Sequence, residues 1–218
     1  MKVIVTSGAT REPIDSVRFI SNLSSGRTGA MICEALAARG FQVTQLAGVD
    51  SAQAAGVARR ETFTDHASLD TALRRLARDI NCAAVVHAAA VGDFAVAGPM
   101  PDAKFESGQE LSVKLEPTAK IIDRIMGYAG NPNLMLVGFK LTHDPDAGAQ
   151  ARAARELLKR SRARYVVQND VSTLADGEEH LFFVHENGST RVRRYVGRDK
   201  LATALALLLE EQLKGSAR

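Results

Sequence analysis

A doubly wound α/β fold, with a Rossmann-like, mostly parallel sheet, a C-terminal hairpin and a projecting flap, is predicted by three features of this 218-residue chain. Short β-rich apolar runs alternate with segments of helical period, the pattern of a parallel sheet covered by helices. Near the end, Glu186-Asn187-Gly188-Ser189 separates two β-rich runs, and Asn-Gly is the strongest short signal for a hairpin. Two loops, Ser7 to Arg27 and Ala90 to Glu110, far exceed the roughly 2–6 residues that usually join strand to helix.

Lys2–Thr6 opens the chain as an apolar strand that runs into a Ser-Gly turn. Further strands are predicted at Phe41–Leu46, Ala58–Phe63, Ala83–His87, Leu134–Phe139 and Arg164–Gln168. Helical patterns lie between them at Thr28–Arg39, Ser68–Ile80, Thr118–Tyr128 and Asp146–Lys159. In the second of these, Leu69, Leu73, Leu76 and Ile80 share one face. His180–His185 and Arg191–Tyr195 form the hairpin at one sheet edge, and Asp199–Leu213 is the last helix. The second long loop leads into Leu111-Ser112-Val113-Lys114-Leu115, whose alternation suits a projecting arm. Nothing in the chain marks an internal boundary, so residues 1–218 are expected to form a single domain.

Composition narrows the function classes. Hydrophobic residues make up 45% and charged residues 24%, the balance of a globular chain. The 28 Lys and Arg exceed the 25 Asp and Glu only slightly and are spread along the chain, so no nucleic-acid partner is expected. The longest apolar run, Leu201 to Leu209, falls far short of the ~20 residues that span a bilayer, and the N-terminus lacks a signal peptide pattern. A cytoplasmic protein without a membrane partner is expected. Cys33 and Cys82 stand in apolar surroundings without CxxC or Cys/His spacing and read as reduced core residues.

The first long loop carries Thr6-Ser7-Gly8-Ala9-Thr10-Arg11-Glu12 and then Ser21-Asn22-Leu23-Ser24-Ser25-Gly26-Arg27. Both segments are small, rich in donors and interleaved with arginines, and the second opens a helix whose free N–H groups favour an anion. This is phosphate-binding chemistry, although neither GxGxxG nor GxxxxGK[ST] occurs; plain turns are the competing reading. His87-Ala88-Ala89-Ala90-Val91-Gly92-Asp93-Phe94 ends a strand in small residues that let a flat ring approach the backbone. Asp93 beyond them could hold a ribose hydroxyl or a magnesium ion, or simply form the turn. His87 reads as a hydrogen-bonded core residue, and Lys104 by itself as a solvated loop lysine.

The run from Val5 to Gly26, VTSGATREPIDSVRFISNLSSG, resembles the opening motif of the phosphopantothenoylcysteine synthetases, or phosphopantothenate–cysteine ligases, of coenzyme A biosynthesis. Ala89-Ala90-Val91-Gly92-Asp93-Phe94 is similar to that family's Ala-Ala-Val-Ala-Asp-Phe/Tyr motif. Lys104-Phe105-Glu106-Ser107 stands where the family has its Lys-Ile-x-x flap. Gly138-Phe139-Lys140-Leu141 and Asn169-Asp170-Val171-Ser172 complete the series in order. Gly92 in place of Ala, Phe105 in place of Ile, and Thr142-His143 in place of Glu-Thr depart from the pattern.

The resemblance implies an enzyme that activates 4′-phosphopantothenate on a nucleoside triphosphate, releases pyrophosphate and passes the acyl group to L-cysteine. It implies Mg²⁺ as cofactor, with Asp93 as its ligand, and CTP as co-substrate, with ATP the alternative. Gly8, Ala9, Thr10, Arg11, Ser24, Ser25, Gly26, Ala89, Ala90, Asp93 and Phe139 are then the nucleotide-binding residues. Arg18 takes the phosphopantothenate side, Lys104 is the flap lysine that forms the acyl-nucleotide, and Asn22 turns it over. A homodimer is implied, because the family's flap reaches across to its partner. Many bacterial members carry a flavin-dependent decarboxylase ahead of the ligase strand, and this chain begins at that strand, so a stand-alone synthetase is expected. An NAD(P)-dependent Rossmann-type reductase and a non-catalytic nucleotide-binding protein are the alternatives.

Overall fold

The computed structural model describes residues 1–98, 103–106, 108, 110–174 and 180–215. Ser107 and part of the second long loop lie outside the described residues. The strands are β1 (Lys2–Ser7), β2 (Arg11–Pro13), β3 (Phe19–Ser21), β4 (Gln42–Gly48), β5 (Arg59–Phe63), β6 (Cys82–His87), β7 (Phe94–Val96), β8 (Leu115–Pro117), β9 (Met135–Thr142), β10 (Tyr165–Asp170), β11 (Leu181–Glu186) and β12 (Val192–Val196). The helices are α1 (Arg27–Ala38), α2 (His66–Ala77), α3 (Ile121–Tyr128), α4 (Ala147–Ser161) and α5 (Arg198–Gly215).

Eight strands form one sheet in the order β12-β11-β10-β9-β6-β1-β4-β5. From β5 to β10 neighbours run parallel, and β11 and β12 add an antiparallel edge. The parallel strands are apolar on both faces because both faces are covered. Val3 and Val5 point into a core with Leu36 of α1 and Leu205 of α5. Ile4 points into the opposite core with Leu73 of α2, Ile125 of α3 and Leu157 of α4. The expected Asn-Gly hairpin joins β11 to β12, with Gly188 at φ 78 in the turn. Cys33 and Cys82 are free and buried, which pushes their thiols up to about 12 and about 11. Among the described residues no helix is long and apolar enough to cross a membrane.

Two expectations are corrected. Helix α2 starts earlier and stops earlier than its apolar spacing suggests: Asp65 and Ser68 form a capping box at its start. After Ala77, Asp79 bonds the Asn81 amide and turns the chain, so Ile80 leaves the helical face and is exposed. The segment 111–115 contributes only Leu115 to a strand. That strand, β8, folds back on β7, and the pair closes the base of the loop that carries Lys104.

Candidate functional site

The helix that follows β1 lies on one face of the sheet, and α2, which leads into β6, lies on the other. The winding therefore reverses between the neighbours β1 and β6, the point where an open α/β sheet leaves a crevice beyond its strand ends. Here the two strand-end loops continue side by side. Ala90 N–H donates to the Gly8 carbonyl at 2.7 Å and Thr10 N–H to the Ala90 carbonyl at 3.2 Å, a parallel bridge that pairs Ala9 with Ala90. The Gly92 amide donates to Thr10 Oγ1 at 2.9 Å, and Asn22 Nδ2 donates to the Val91 carbonyl at 3.1 Å. A cleft of about 390 Å³ opens between Ala9, Arg11, Asn22, Ser24 and Ser51. A larger groove of about 780 Å³ lies at the other end of the sheet, by Lys2 and Asn81, away from all of these groups.

Gly8 and Gly26 make this end of the crevice possible. Gly8 sits at φ 81, and a Cβ there would lie 1.8 Å from Ser51 Oγ. Gly26 sits at φ 73, where a Cβ would come within 2.9 Å of Ser51 Cβ and 3.1 Å of the Gly8 amide. Both need the left-handed region and no side chain. Gly26 is also the N-cap of α1 and supplies no capping side chain. A contact of 3.5 Å from Arg27 N to Ser25 Oγ is the nearest side-chain approach to the first turn. The positive end of α1 thus faces the crevice with donors available to an anion.

The structure brings Gly8, Ala9, Thr10, Asn22, Ser24, Ser25, Gly26, Ala89 and Ala90 to this one crevice. Arg11 is there too but is already engaged. Its guanidinium pairs with Asp50 at 3.0 Å and stacks 4.6 Å over the Phe19 ring. Phe139 follows Gly138, the register partner of His87, so it flanks the start of the Ala88–Ala90 loop, half-buried against the α1/α5 core. Asp93 is exposed and ion-paired with Lys120. Among the described residues no group of three or more His, Cys, Asp or Glu could hold a metal ion. Asp93 is a single exposed carboxylate of the kind that could hold a Mg²⁺ ion arriving on phosphate oxygens.

Arg18 lies in the turn of the β2–β3 hairpin and Lys104 in the β7–β8 loop, and the amide of Phe105, next to Lys104, bonds Asp15 in that same turn. Arg18 Nη1 donates to Asp15 Oδ2 at 3.0 Å, and Lys104 is exposed with no ion pair among the described residues. Asp15 was not singled out by the sequence, although Asp-x-x-Arg is an Asx-turn signal. Nor was Asp170, which accepts Ser172 N–H and hydroxyl, Thr142 Oγ1 and Asp144 N–H. Burial alone would raise its carboxyl, but these four donors hold it down at about 2. It fixes the Thr142-His143 segment at the end of β9, where this chain departs from the family motif.

His87 is a core residue, as expected. Thr6 Oγ1 accepts the Ala89 N–H at 3.1 Å and lies 3.0 Å from His87 Nδ1, to which it can give its own hydrogen. Complete burial pushes the imidazole down to about 4, so the ring is neutral at pH 7. Burial also pushes His180 down to about 4 and lowers His185. Unfolded imidazoles take a proton near pH 6.5 that the folded ones refuse, so this contribution to stability is complete above pH 6.5 and is lost as pH falls toward 4. Urea unfolding across that range should show the loss. His87→Asn, which keeps an acceptor for Thr6, should lower the proton uptake on unfolding at pH 5 by about one. An unchanged slope would place His87 in contact with solvent.

A family model described as the DNA/pantothenate metabolism flavoprotein C-terminal domain matches residues 1–212. The coenzyme A biosynthesis bifunctional protein CoaBC of Thermococcus kodakarensis is 35% identical over 198 residues, 91% of this chain and 48% of that protein. The chain spans about half the length of the curated relatives it matches. The crystal structure of the DNA/pantothenate metabolism flavoprotein from Streptococcus pneumoniae superposes with a TM-score of 0.82 at 24% identity, covering 99% of both chains. A Cab2 mutant in complex with phosphopantothenate-cysteine superposes with a TM-score of 0.81 at 20% identity, covering 99% of this chain and 88% of that one. These two superpositions establish the shared fold, and the family match over nearly the whole length establishes descent. The chain belongs to the DNA/pantothenate metabolism flavoprotein C-terminal domain family and is homologous to the C-terminal phosphopantothenoylcysteine synthetase domain of the bifunctional coenzyme A biosynthesis proteins.

Proposed function

We propose that this chain is a phosphopantothenate–cysteine ligase that works through an acyl-nucleotide. The observation that carries the reading is the crevice at the β1/β6 switch point, where two donor-rich loops are bonded to each other and the open end of α1 faces them. Family membership and the Cab2 complex with phosphopantothenate-cysteine supply the substrate class. In the first step a carboxylate oxygen of 4′-phosphopantothenate attacks the α-phosphorus, and the bond to pyrophosphate breaks. In the second, the cysteine amine attacks the acyl carbon, loses a proton and displaces the nucleoside monophosphate. Two anions meet in the first step, so positive charge and positioned donors are the main catalytic means. The amides of Gly8, Ala9 and the Ser24–Gly26 segment would take the phosphates, and Arg18 and Lys104 would supply charge. Mg²⁺ would neutralise the triphosphate, with Asp93 released from Lys120 as its protein ligand. Val17 in the β2–β3 turn, Leu23 just after β3 and Phe94 in β7 are exposed apolar residues, which supports cover by a second copy in a homodimer.

Purified protein given phosphopantothenate, cysteine, Mg²⁺ and each nucleoside triphosphate should release pyrophosphate through many turnovers only when both acids are present, with phosphopantothenate alone giving at most one equivalent per site. We expect CTP to be preferred over ATP. Ala89, Ala90 and half-buried Phe139 suit a flat ring read by backbone groups, and each buried donor or acceptor left unpaired by a wrong base costs about 1–3 kcal/mol. Two such losses give a ratio of kcat/KM on the order of a hundred or more. Equal use of ATP would overturn the base assignment and leave the ligase reading standing. NADH consumption, or nucleotide binding without turnover, would overturn the ligase reading itself.

A further inference from the structure

The carboxylate of Asp15 is buried, 3% exposed, in the turn of the β2–β3 hairpin, and its two oxygens serve different partners. Oδ1 accepts the amides of Val17 at 2.9 Å and Arg18 at 2.7 Å, which builds the local turn. Oδ2 accepts Arg18 Nη1 at 3.0 Å and, from a segment 90 residues further along the chain, the backbone amide of Phe105 at 3.2 Å. Phe105 is the residue after Lys104. The hairpin that carries Arg18 and the loop that carries Lys104 are therefore joined through one oxygen atom.

We propose that Asp15 is a positioning residue that sets Lys104 and Arg18 relative to each other by holding the Phe105 amide and the Arg18 guanidinium on Oδ2. The inference deepens the ligase reading and rests on it for the meaning of Lys104 and Arg18. The physical case is a division of labour within one side chain. A buried carboxylate needs its lone pairs satisfied, and the turn amides satisfy only Oδ1. Oδ2 takes no amide of its own turn and is spent on the Arg18 guanidinium and on the backbone beside Lys104. Burial would raise this carboxyl, yet the amides of Val17, Arg18 and Phe105 and the Arg18 charge hold it below the usual carboxylate range, so it stays ionised and accepts from all of them. Lys104 stands on a long loop and has no ion pair among the described residues, so the bond at the next amide is what ties its backbone to the hairpin.

Asp15→Asn separates the two duties. Its amide oxygen can keep the turn bonds of Oδ1, whereas an NH₂ group in place of Oδ2 faces two donors and can accept from neither. The variant is expected to fold with a lowered unfolding midpoint, because two donors lose their acceptor, and hydrogen exchange at the Phe105 amide should rise at least about tenfold. Formation of the acyl-nucleotide should slow by about tenfold to a hundredfold, the range for losing a hydrogen bond to a charged acceptor, and the KM for phosphopantothenate should rise through Arg18. In a Lys104→Gln background the same replacement should lower kcat by less than about threefold, because both changes act on one group. A full multiplicative loss in that background, or wild-type kcat with unchanged exchange at Phe105, overturns the proposal. A wild-type protein without ligase turnover would overturn the ligase reading instead, and the exchange measurement would still report on the tether. If Asp15→Asn fails to fold, Asp15→Ser, whose hydroxyl can still accept a turn amide but which has no second oxygen for Phe105 and Arg18, takes its place with the same outcomes.

Discussion

Lys104→Gln is expected to lower phosphopantothenate- and cysteine-dependent pyrophosphate release by about 10²–10³-fold, the usual cost of removing one positioned charge from a site where negative charge develops. The side chain is exposed and makes no ion pair among the described residues, so its replacement removes nothing that holds the fold together. The urea midpoint should therefore stay within about 0.5 kcal/mol of wild type. A loss of rate without a loss of stability is what a functional loop lysine predicts. Because the amide after it is tied to Asp15, the ammonium group has a defined point of departure from the hairpin side of the crevice. Pyrophosphate release with rapid quenching, beside urea unfolding of the same preparation, checks both halves. Near-normal turnover would make Lys104 an ordinary surface residue.

What the sequence made legible follows from which interactions are local. Strand β1 was readable because Val3, Ile4 and Val5 are all apolar, as a strand buried on both faces requires. The phosphate-type loops were readable because glycine and serine carry their meaning in their own backbone and side chain. Strands of three residues such as β2 and β3 have too little period to detect. Their pairing depends on partners such as Phe19 beneath Arg11, which no spacing announces. The ion pair of Arg11 with Asp50 links residues 39 apart, and the bond of Asn22 to Val91 links residues 69 apart. Glu12 carries no signal in its spacing, yet it is buried and accepts the amide of His66 in the first turn of α2 at 3.0 Å. That bond anchors the first long loop to the far side of the sheet, and only the topology could show it. Asp15 and Asp170 belong to the same class: each has a local turn signal in the sequence, while the bonds from Asp15 to Phe105 and from Asp170 to Thr142 come from tertiary structure.

Asn22→Asp is expected to uncouple the two half-reactions, with acyl-nucleotide accumulating while transfer to cysteine slows by about 10²–10³-fold. The amide Nδ2 already donates one hydrogen to the Val91 carbonyl at 3.1 Å. That bond holds the Ser24–Gly26 side of the crevice against the Ala89–Ala90 side and leaves the second amide hydrogen for an oxyanion. A carboxylate offers no donor, so it opposes the Val91 carbonyl and adds negative charge where the tetrahedral intermediate also gains it. The variant thus carries two defects, and they differ in what they slow. Loss of the bond to Val91 loosens the nucleotide side and would lower formation of the intermediate, whereas loss of oxyanion stabilisation lowers only its consumption. Asn22→Ala isolates the effect of the added charge, because it also loses both hydrogens but introduces no anion, and the separate rates of formation and consumption tell the two defects apart. Mass spectrometry of quenched reactions should find the acyl-nucleotide accumulating in Asn22→Ala and more strongly in Asn22→Asp. If neither variant accumulates it and both slow its formation equally, the asparagine serves the crevice solely through Val91, and the donor to the oxyanion has to be sought among the backbone amides of the two bonded loops.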